Sequence, residues 1–330
     1  MIITRTPVRI SFFSGGSDMP SFYKDDLGAA LSVTIDKYIY VMLHKTKHMG
    51  VKVMYDQIEE FPDVETMQSG ITSETLKYFQ INKEITVSSI SDILSKGSGL
   101  GSSSAFTVGL VNALSSYSGI RPNKSQLAEC ACMIEMEKCG YPVGKQDQYA
   151  AAWGGVNLFQ FAKDQVILYD TSKIDPFTLK LLENNLLLVY SGIGRSANSI
   201  LQKQSAAMSD KDKLNLVKRS RDKAYIALGH LIDRDVDSFG ALLNDAWMDK
   251  KSIVKEITSD YFDEVYTCAM KAGALGGKLL GAGGGGFFVF YVPQDKRAGL
   301  INDLECNTQC KVYDFKFTTE GSTVLASDNA

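Results

Sequence analysis

Runs of β-branched and aromatic residues dominate the first 60 positions. VRISFF (8–13) and ALSVTIDKYIYVMLHKT (30–46) read as strands, broken by the turn-forming SGGSD and KDDLG. Beyond a polar stretch containing Asp56 to Asn82, EITVSSIS reads as another strand and runs into KGSGLGSSS. Apolar positions Ala105, Phe106, Val108, Gly109, Leu110, Val111, Ala113 and Leu114 then fit a buried helix. The order is strand, glycine loop, helix. A second helix is expected from an N-cap near Ser125 to about Gly140, and GGVNLFQF with QVILYD reads as a hairpin.

Near LLENNLLLVYSG the chain enters a second strand-rich start, followed by a long, largely helical stretch. TSDYFDEVYTCAMKAG is a helix leading into GALGGKLLGAGGGG, FFVFYV is a short buried strand, and KVYDFKFTTEGSTV supplies a final strand. Strands and helices mix without strict alternation, which predicts an α+β fold. The domain boundary is expected near residue 180, giving domains 1–180 and 181–330.

Composition adds exclusions. The 330 residues are 45% hydrophobic and 22% charged, enough for two packed domains and a cleft. A net charge of -3 and the absence of a long Lys/Arg run argue against nucleic acid as a partner. The N-terminus lacks the apolar core of a signal peptide and no window suits a membrane span, so a cytoplasmic protein without membrane association is expected. Six cysteines without a CxxC pair, and three histidines, read as reduced core thiols and not a zinc site.

Three segments carry candidate chemistry. In KGSGLGSSSAFTVGL, Gly97, Gly99 and Gly101 let backbone approach a ligand closely, while Ser102, Ser103 and Ser104 offer hydroxyls and amides at a helix N-terminus, where phosphate is favoured. The segment fits neither GxxxxGK[ST] nor GxGxxG. In CGYPVGKQDQYAAAWGG, Asp147 could accept a hydroxyl proton, or simply cap the segment after it. On the helix before it, Ala131 and Cys132 leave room beside Glu135; Glu137 competes, and periodicity does not separate them because this helix is apolar nearly all round. In LLGAGGGGFFVF, four successive glycines suit a place where backbone passes close to another loop or a ligand, or a flexible connection.

RTPVRISFFSGGSD, GSGLGSSSA and LLGAGGGG, in this order and with DQ between the last two, resemble the three signatures of the GHMP kinases. Within that family RTPVRISFFSGGSDMPSFY, SVTIDKYIYV, GKQDQYAAAWGG and YSGIGRSANSIL look most like the kinases of D-glycero-D-manno-heptose 7-phosphate. The resemblance implies two domains, the first like part of ribosomal protein S5 and the second ferredoxin-like, with the active site between them. It implies ATP and Mg2+ as cofactors, a small-molecule sugar phosphate as substrate and transfer to its anomeric hydroxyl, and leaves a homodimer open.

Residue by residue, the resemblance makes Asp147 the catalytic base and puts Arg9 beside it, on the transferring phosphoryl group. Gly97, Gly99, Gly101 and Ser102–Ser104 would hold the ATP phosphates, and Ser103 and Glu135 the magnesium. Asp18, with Gly15 and Gly16 before it and Gly284 from the third signature, would contact the sugar. Galactokinases carry GEHTD where this chain has GGSD, which counts against galactose. The distal phosphate of a heptose 7-phosphate needs a cation, for which Lys145 and Arg195 are the candidates, each in a glycine-flanked loop. Another sugar, fucose- or galactose-like, and a non-catalytic ATP- and sugar-binding sensor are the rival readings.

Overall fold

The computed structural model describes residues 1–47, 50–93, 97–194 and 198–327. Its first sheet is organised by two long strands. Ile2–Phe13 pairs antiparallel with Gly28–Lys45 along almost its whole length. Gly28–Lys45 then divides its other edge, its first half pairing with Val156–Phe161 and its second with Ile85–Ser91. Both long strands follow from their β-branched and aromatic content, and their buried positions lie under the helix Ser102–Tyr117.

Register slips between Pro7 and Arg9 and again between Ser11 and Phe13. Proline cannot donate to the ladder, and a bulge beside it re-aims the residues that follow, Arg9 among them.

The second sheet is antiparallel, in the order Lys311–Tyr313, Leu186–Tyr190, Phe287–Tyr291, Gly276–Leu279. FFVFYV is buried at every position, as a strand covered on both faces must be. Phe12 and Phe13 of the first sheet meet Phe239 edge-on at 5.1 and 5.5 Å, and one hydrophobic core contains these rings together with Val289 and Tyr291 of the second sheet. The two sheets therefore share packed interior across the seam. A second core forms around Trp247, Phe288 and Phe290.

Three expectations need correction. KVYDFKFTTEGSTV is not one strand: Lys311–Tyr313 closes the second sheet, and Thr323–Ser327 returns to pair with Ile2–Phe13. Between them the chain crosses the seam, with Thr318 N donating to Thr34 O at 3.0 Å. The helix expected from Ser125 is capped two residues earlier, where Asn123 and Gln126 exchange hydrogen bonds of 2.9 and 3.0 Å in a capping box. Of the six free thiols, only Cys132 and Cys310 are buried, and Cys306 is exposed. No helix among the described residues is long and apolar enough to cross a membrane.

Candidate active site

A cleft of 1310 Å³ opens along the seam. The glycine loop 97–101 forms one wall, with Gly97, Gly99 and Gly101 all at positive φ and Gly101 left-handed before the helix Ser102–Tyr117. These glycines serve a close approach between loops. A Cβ on Gly99 would lie 2.6 Å from Leu280 O, and one on Gly281 2.6 Å from the Gly99 Cα. Phe287 N donates to Ser98 O at 2.9 Å, so the two glycine-rich segments lock together across the seam. Ser102 is held by Ser98, hydroxyl to hydroxyl at 2.7 Å. Ser103 is exposed to the cleft, and Ser104 donates to Glu135 Oε2 at 3.0 Å. Free amides at a helix start beside such a loop suit a polyphosphate.

Arg9 projects from the bulged strand and is almost fully buried. Its Nε and Nη2 donate to the two oxygens of Asp147 at 2.8 and 2.6 Å, and its Nη1 to Gly99 O at 2.7 Å. Asp147 sits in the first turn of the short helix Gln146–Trp153. Asp18 lies nearby, accepting from Ser14 Oγ at 2.8 Å and from Gln146 N at 3.3 Å. Desolvation pushes its pKa up, Asp147's charge adds to this, and those hydrogen bonds oppose it. Gly144 is required behind it, since a Cβ there would fall 2.0 Å from Asp18 Oδ2. Gly15 and Gly16, at positive φ, line the same part of the cleft.

Geometry separates the two glutamates. After Cys132 the helix widens into a π turn, Met133–Lys138, which carries Glu135 inward and leaves Glu137 exposed. Glu135 is 1% exposed, and its Oε2 accepts from Ser104 and from Gln148 Nε2 at 3.1 Å. Its Oε1 is buried with no hydrogen-bond partner among the described residues. Burial raises its pKa to about 7, opposed by the nearby Thr107 hydroxyl and by the bonds from Ser104 and Gln148, with a further push from Asp147; the Thr107 hydroxyl itself donates to Ser103 O at 3.1 Å. An orphaned carboxylate oxygen of this kind fits a hard divalent cation. Among the described residues no group of three His, Cys, Asp or Glu side chains could hold a metal alone. A magnesium ion here would therefore take its remaining ligands from nucleotide phosphates and water, its usual habit in kinase sites.

Some expected residues fall elsewhere. Gly284 is buried, does not line the cleft and donates its N–H to Ile257 O at 2.9 Å. Lys145 turns away from the cleft toward Glu129 at 3.4 Å and over the Tyr23 ring. Its neighbours in sequence do face the cleft, but the start of a helix sends adjacent side chains in different directions. Arg195 lies outside the described residues.

The sequence reading missed two groups of cleft residues. Tyr55, Ile71, Ile90, Phe106 and Tyr141 make one end apolar, with Tyr55 and Phe106 edge to face at 5.3 Å. They come from separate elements, and no local pattern marks them. Lys250 and Lys278, 6% and 5% exposed, also line the cleft. For Lys278 a signal existed: a single lysine inside the buried run GGKLL.

A helix start cradled by glycines beside a carboxylate clamped by arginine suits phosphoryl transfer, which asks for phosphate binding and positioned charge. Two family models match the chain, the GHMP kinases N terminal domain over residues 67–155 and the GHMP kinases C terminal model over 227–307. A D-glycero-alpha-D-manno-heptose 7-phosphate kinase of Campylobacter jejuni is 30% identical, covering 97% of this chain and 97% of its own. An L-fucokinase/L-fucose-1-P guanylyltransferase of Bacteroides fragilis is 25% identical and covers 98% of this chain but 38% of its own. In fold, a D-glycero-D-manno-heptose 1-phosphate kinase from Bacteroides thetaiotaomicron matches with a TM-score of 0.81 over 99% of both chains, at 23% identity. A galactokinase from Lactococcus lactis, solved with galactose, matches with a TM-score of 0.73 over 98% of this chain and 94% of its own, at 17% identity. The chain belongs to the GHMP kinases, with their two-domain α+β fold. It is an ATP-dependent phosphotransferase of the sugar-kinase kind.

Proposed function

We propose that the chain transfers the γ-phosphoryl group of ATP to the anomeric hydroxyl of D-glycero-D-manno-heptose 7-phosphate. The observation that carries this reading is the two-pronged Arg9–Asp147 pair, set between the glycine-cradled helix start and Asp18. Full-length similarity to a heptose 7-phosphate kinase supports the choice of sugar. Adenine would enter the apolar slot by Tyr55 and Phe106, with the phosphates on the Gly97–Ser104 segment. Glu135 and Ser103 would hold Mg2+, which would neutralise phosphate charge when bound. Asp18, with Gly15 and Gly16, would orient the sugar.

In the transfer step the anomeric oxygen bonds to the γ-phosphorus, the bond to the β-bridging oxygen breaks, and ADP leaves. Asp147 takes the hydroxyl proton while Arg9 fixes both its oxygens and lends positive charge to the phosphoryl group. Such a loose transition state asks mainly for positioning and charge neutralisation, which a rigid guanidinium fork supplies. We place the division of the chain near residue 180, with the last strand returning to the first lobe, and its setting in the cytoplasm. A coupled ADP-release assay across hexoses, 6-deoxyhexoses, free heptose and heptose 7-phosphate tests the reading. The highest kcat/KM is expected for heptose 7-phosphate. A free hexose or 6-deoxyhexose in first place would overturn the sugar assignment, and ATP binding without turnover on any of them would overturn the catalytic one.

A further inference from the structure

Two lysines stand in the cleft without an anionic partner among the described residues. Lys250 lies in the last turn of the helix Val236–Lys251 and donates to Leu279 O at 3.0 Å and Gly281 O at 2.5 Å. Lys278, on the strand Gly276–Leu279, donates across the seam to Phe12 O at 2.8 Å. Among the described residues no carboxylate lies within ion-pair distance of either. Each ammonium has three donors, so one on Lys250 and two on Lys278 have no acceptor among the described residues. Arg9 completes the cluster from the other lobe. Its Nη1 is held by Gly99 O and Lys250 by Gly281 O, and Gly99 and Gly281 are the residues whose backbones touch.

We propose that Lys250 and Lys278, together with Arg9, form a site for a phosphate dianion at the floor of the cleft, with the second lobe supplying two of its three cations. This deepens the kinase reading above and rests on it for the two phosphates that could occupy the site: the γ-phosphate of the nucleotide and the distal phosphate of the sugar phosphate.

Burying an ammonium against carbonyls alone is expensive, because partial charges do not replace a counterion. The expense shows in both groups. Burial first, then Arg9, brings the Lys250 pKa down to about 7; burial, then Lys250 and Arg9, holds Lys278 well below the usual lysine range. The charged groups that bear on the pair are these three cations, with Asp147 behind Arg9. A dianion entering among them reverses the balance and raises both lysine pKa values, so at mildly alkaline pH its binding takes protons from solution.

Calorimetric titration of the full chain in two buffers of different ionisation enthalpy reads this uptake directly. The probes are ADP, a non-hydrolysable ATP analogue, free heptose and heptose 7-phosphate, each with wild type and with the variants K250M, K278M and K250R. Proton uptake is expected with a phosphate-bearing probe and not with its counterpart lacking that phosphate. In K250M that probe should bind about tenfold or more weakly, the worth of a charged hydrogen bond. K250R should retain part of the affinity while losing the Lys250 share of the uptake, because arginine does not titrate here. Uptake confined to heptose 7-phosphate identifies the distal phosphate, and uptake confined to the ATP analogue identifies the γ-phosphate. The second result stands even if the chain binds no heptose, so failure of the sugar assignment is distinguishable from failure of the site. Wild-type binding of every probe without proton uptake overturns the proposal, and that measurement needs no variant to fold. So does a drop in Tm in K250M and K278M with all four dissociation constants unchanged, which would make the lysines struts between the lobes.

Discussion

Both carboxylate oxygens of Asp147 are taken by Arg9, at 2.8 and 2.6 Å, and the same guanidinium reaches Gly99 O, so the proposed base is tied to the phosphate loop through one side chain. Asp147→Asn removes one acceptor oxygen and puts an amide N–H against Arg9. It should lower kcat by about 10²- to 10⁴-fold, the range for losing a positioned base. The dissociation constant for ATP, measured without sugar, should stay within about twofold, because Asp147 would act on the acceptor. Near-normal turnover would remove Asp147 from the chemistry.

Glu135 and Glu137 stand two residues apart on one π turn, one buried and one exposed. Glu135→Gln should raise the magnesium concentration needed for half-maximal activity by about tenfold or more, while Glu137→Gln should leave it unchanged. The reverse order would move the metal ligand.

Glu135 also predicts a pH dependence of stability in the metal-free chain. Its pKa rises from 4.5 to about 7 on folding, so the native state holds its proton more tightly than the unfolded state does. The favourable contribution is complete below the unfolded value and is lost as pH rises through the folded one. Denaturant titrations across that window should show Glu135→Gln gaining stability relative to wild type as pH rises. Parallel curves for the two proteins would contradict the burial argument.

The glycine loop was legible because its chemistry is local: glycine and serine spacing marks a backbone that approaches something closely, whatever the tertiary setting. The long strands were legible for the same reason, through their β-branched content. Glu135 could not be told from Glu137, because a π turn, and not the helical period, decides which points inward. The splitting of KVYDFKFTTEGSTV between two sheets depends on contacts with Thr34, far away in sequence. Lys145 looked suitable from its glycine-flanked position, yet its ammonium finds Glu129 one helix away. Lys250, in the polar-looking DKKS, gave no hint that packing would bury it.

The interlock of the two glycine loops can be probed apart from catalysis. Gly99 and Gly140 both have positive φ, +75° and +66°, so alanine strains the backbone at either place. Of the two, only at Gly99 would the new Cβ also strike backbone, at Leu280 O; at Gly140 nothing among the described residues lies within 4 Å. Gly140→Ala should cost about 1 kcal/mol from backbone strain alone. Gly99→Ala should cost about 2 kcal/mol or more and weaken ATP binding as well, because relieving the clash opens the seam. Equal losses in denaturant titrations of the two would show that the loops tolerate separation.

The proposed transfer to the anomeric position agrees with the acidity of sugar hydroxyls. An anomeric hydroxyl is the most acidic on the ring, because the ring oxygen withdraws electron density from its carbon. Asp147 has both oxygens fixed by Arg9, which holds it in place toward one acceptor hydroxyl, and the hydroxyl that gives up its proton most readily is the one such a positioned base serves best. Heptose 7-phosphate incubated with the chain, ATP and magnesium should therefore lose its reducing-end reactivity in step with ADP release. The product should be a bisphosphate whose new phosphorus resonance couples to the anomeric proton. ADP release with the reducing end intact would place the phosphoryl group on a ring or side-chain hydroxyl, and the sugar would then have to bind with a different edge facing Asp147.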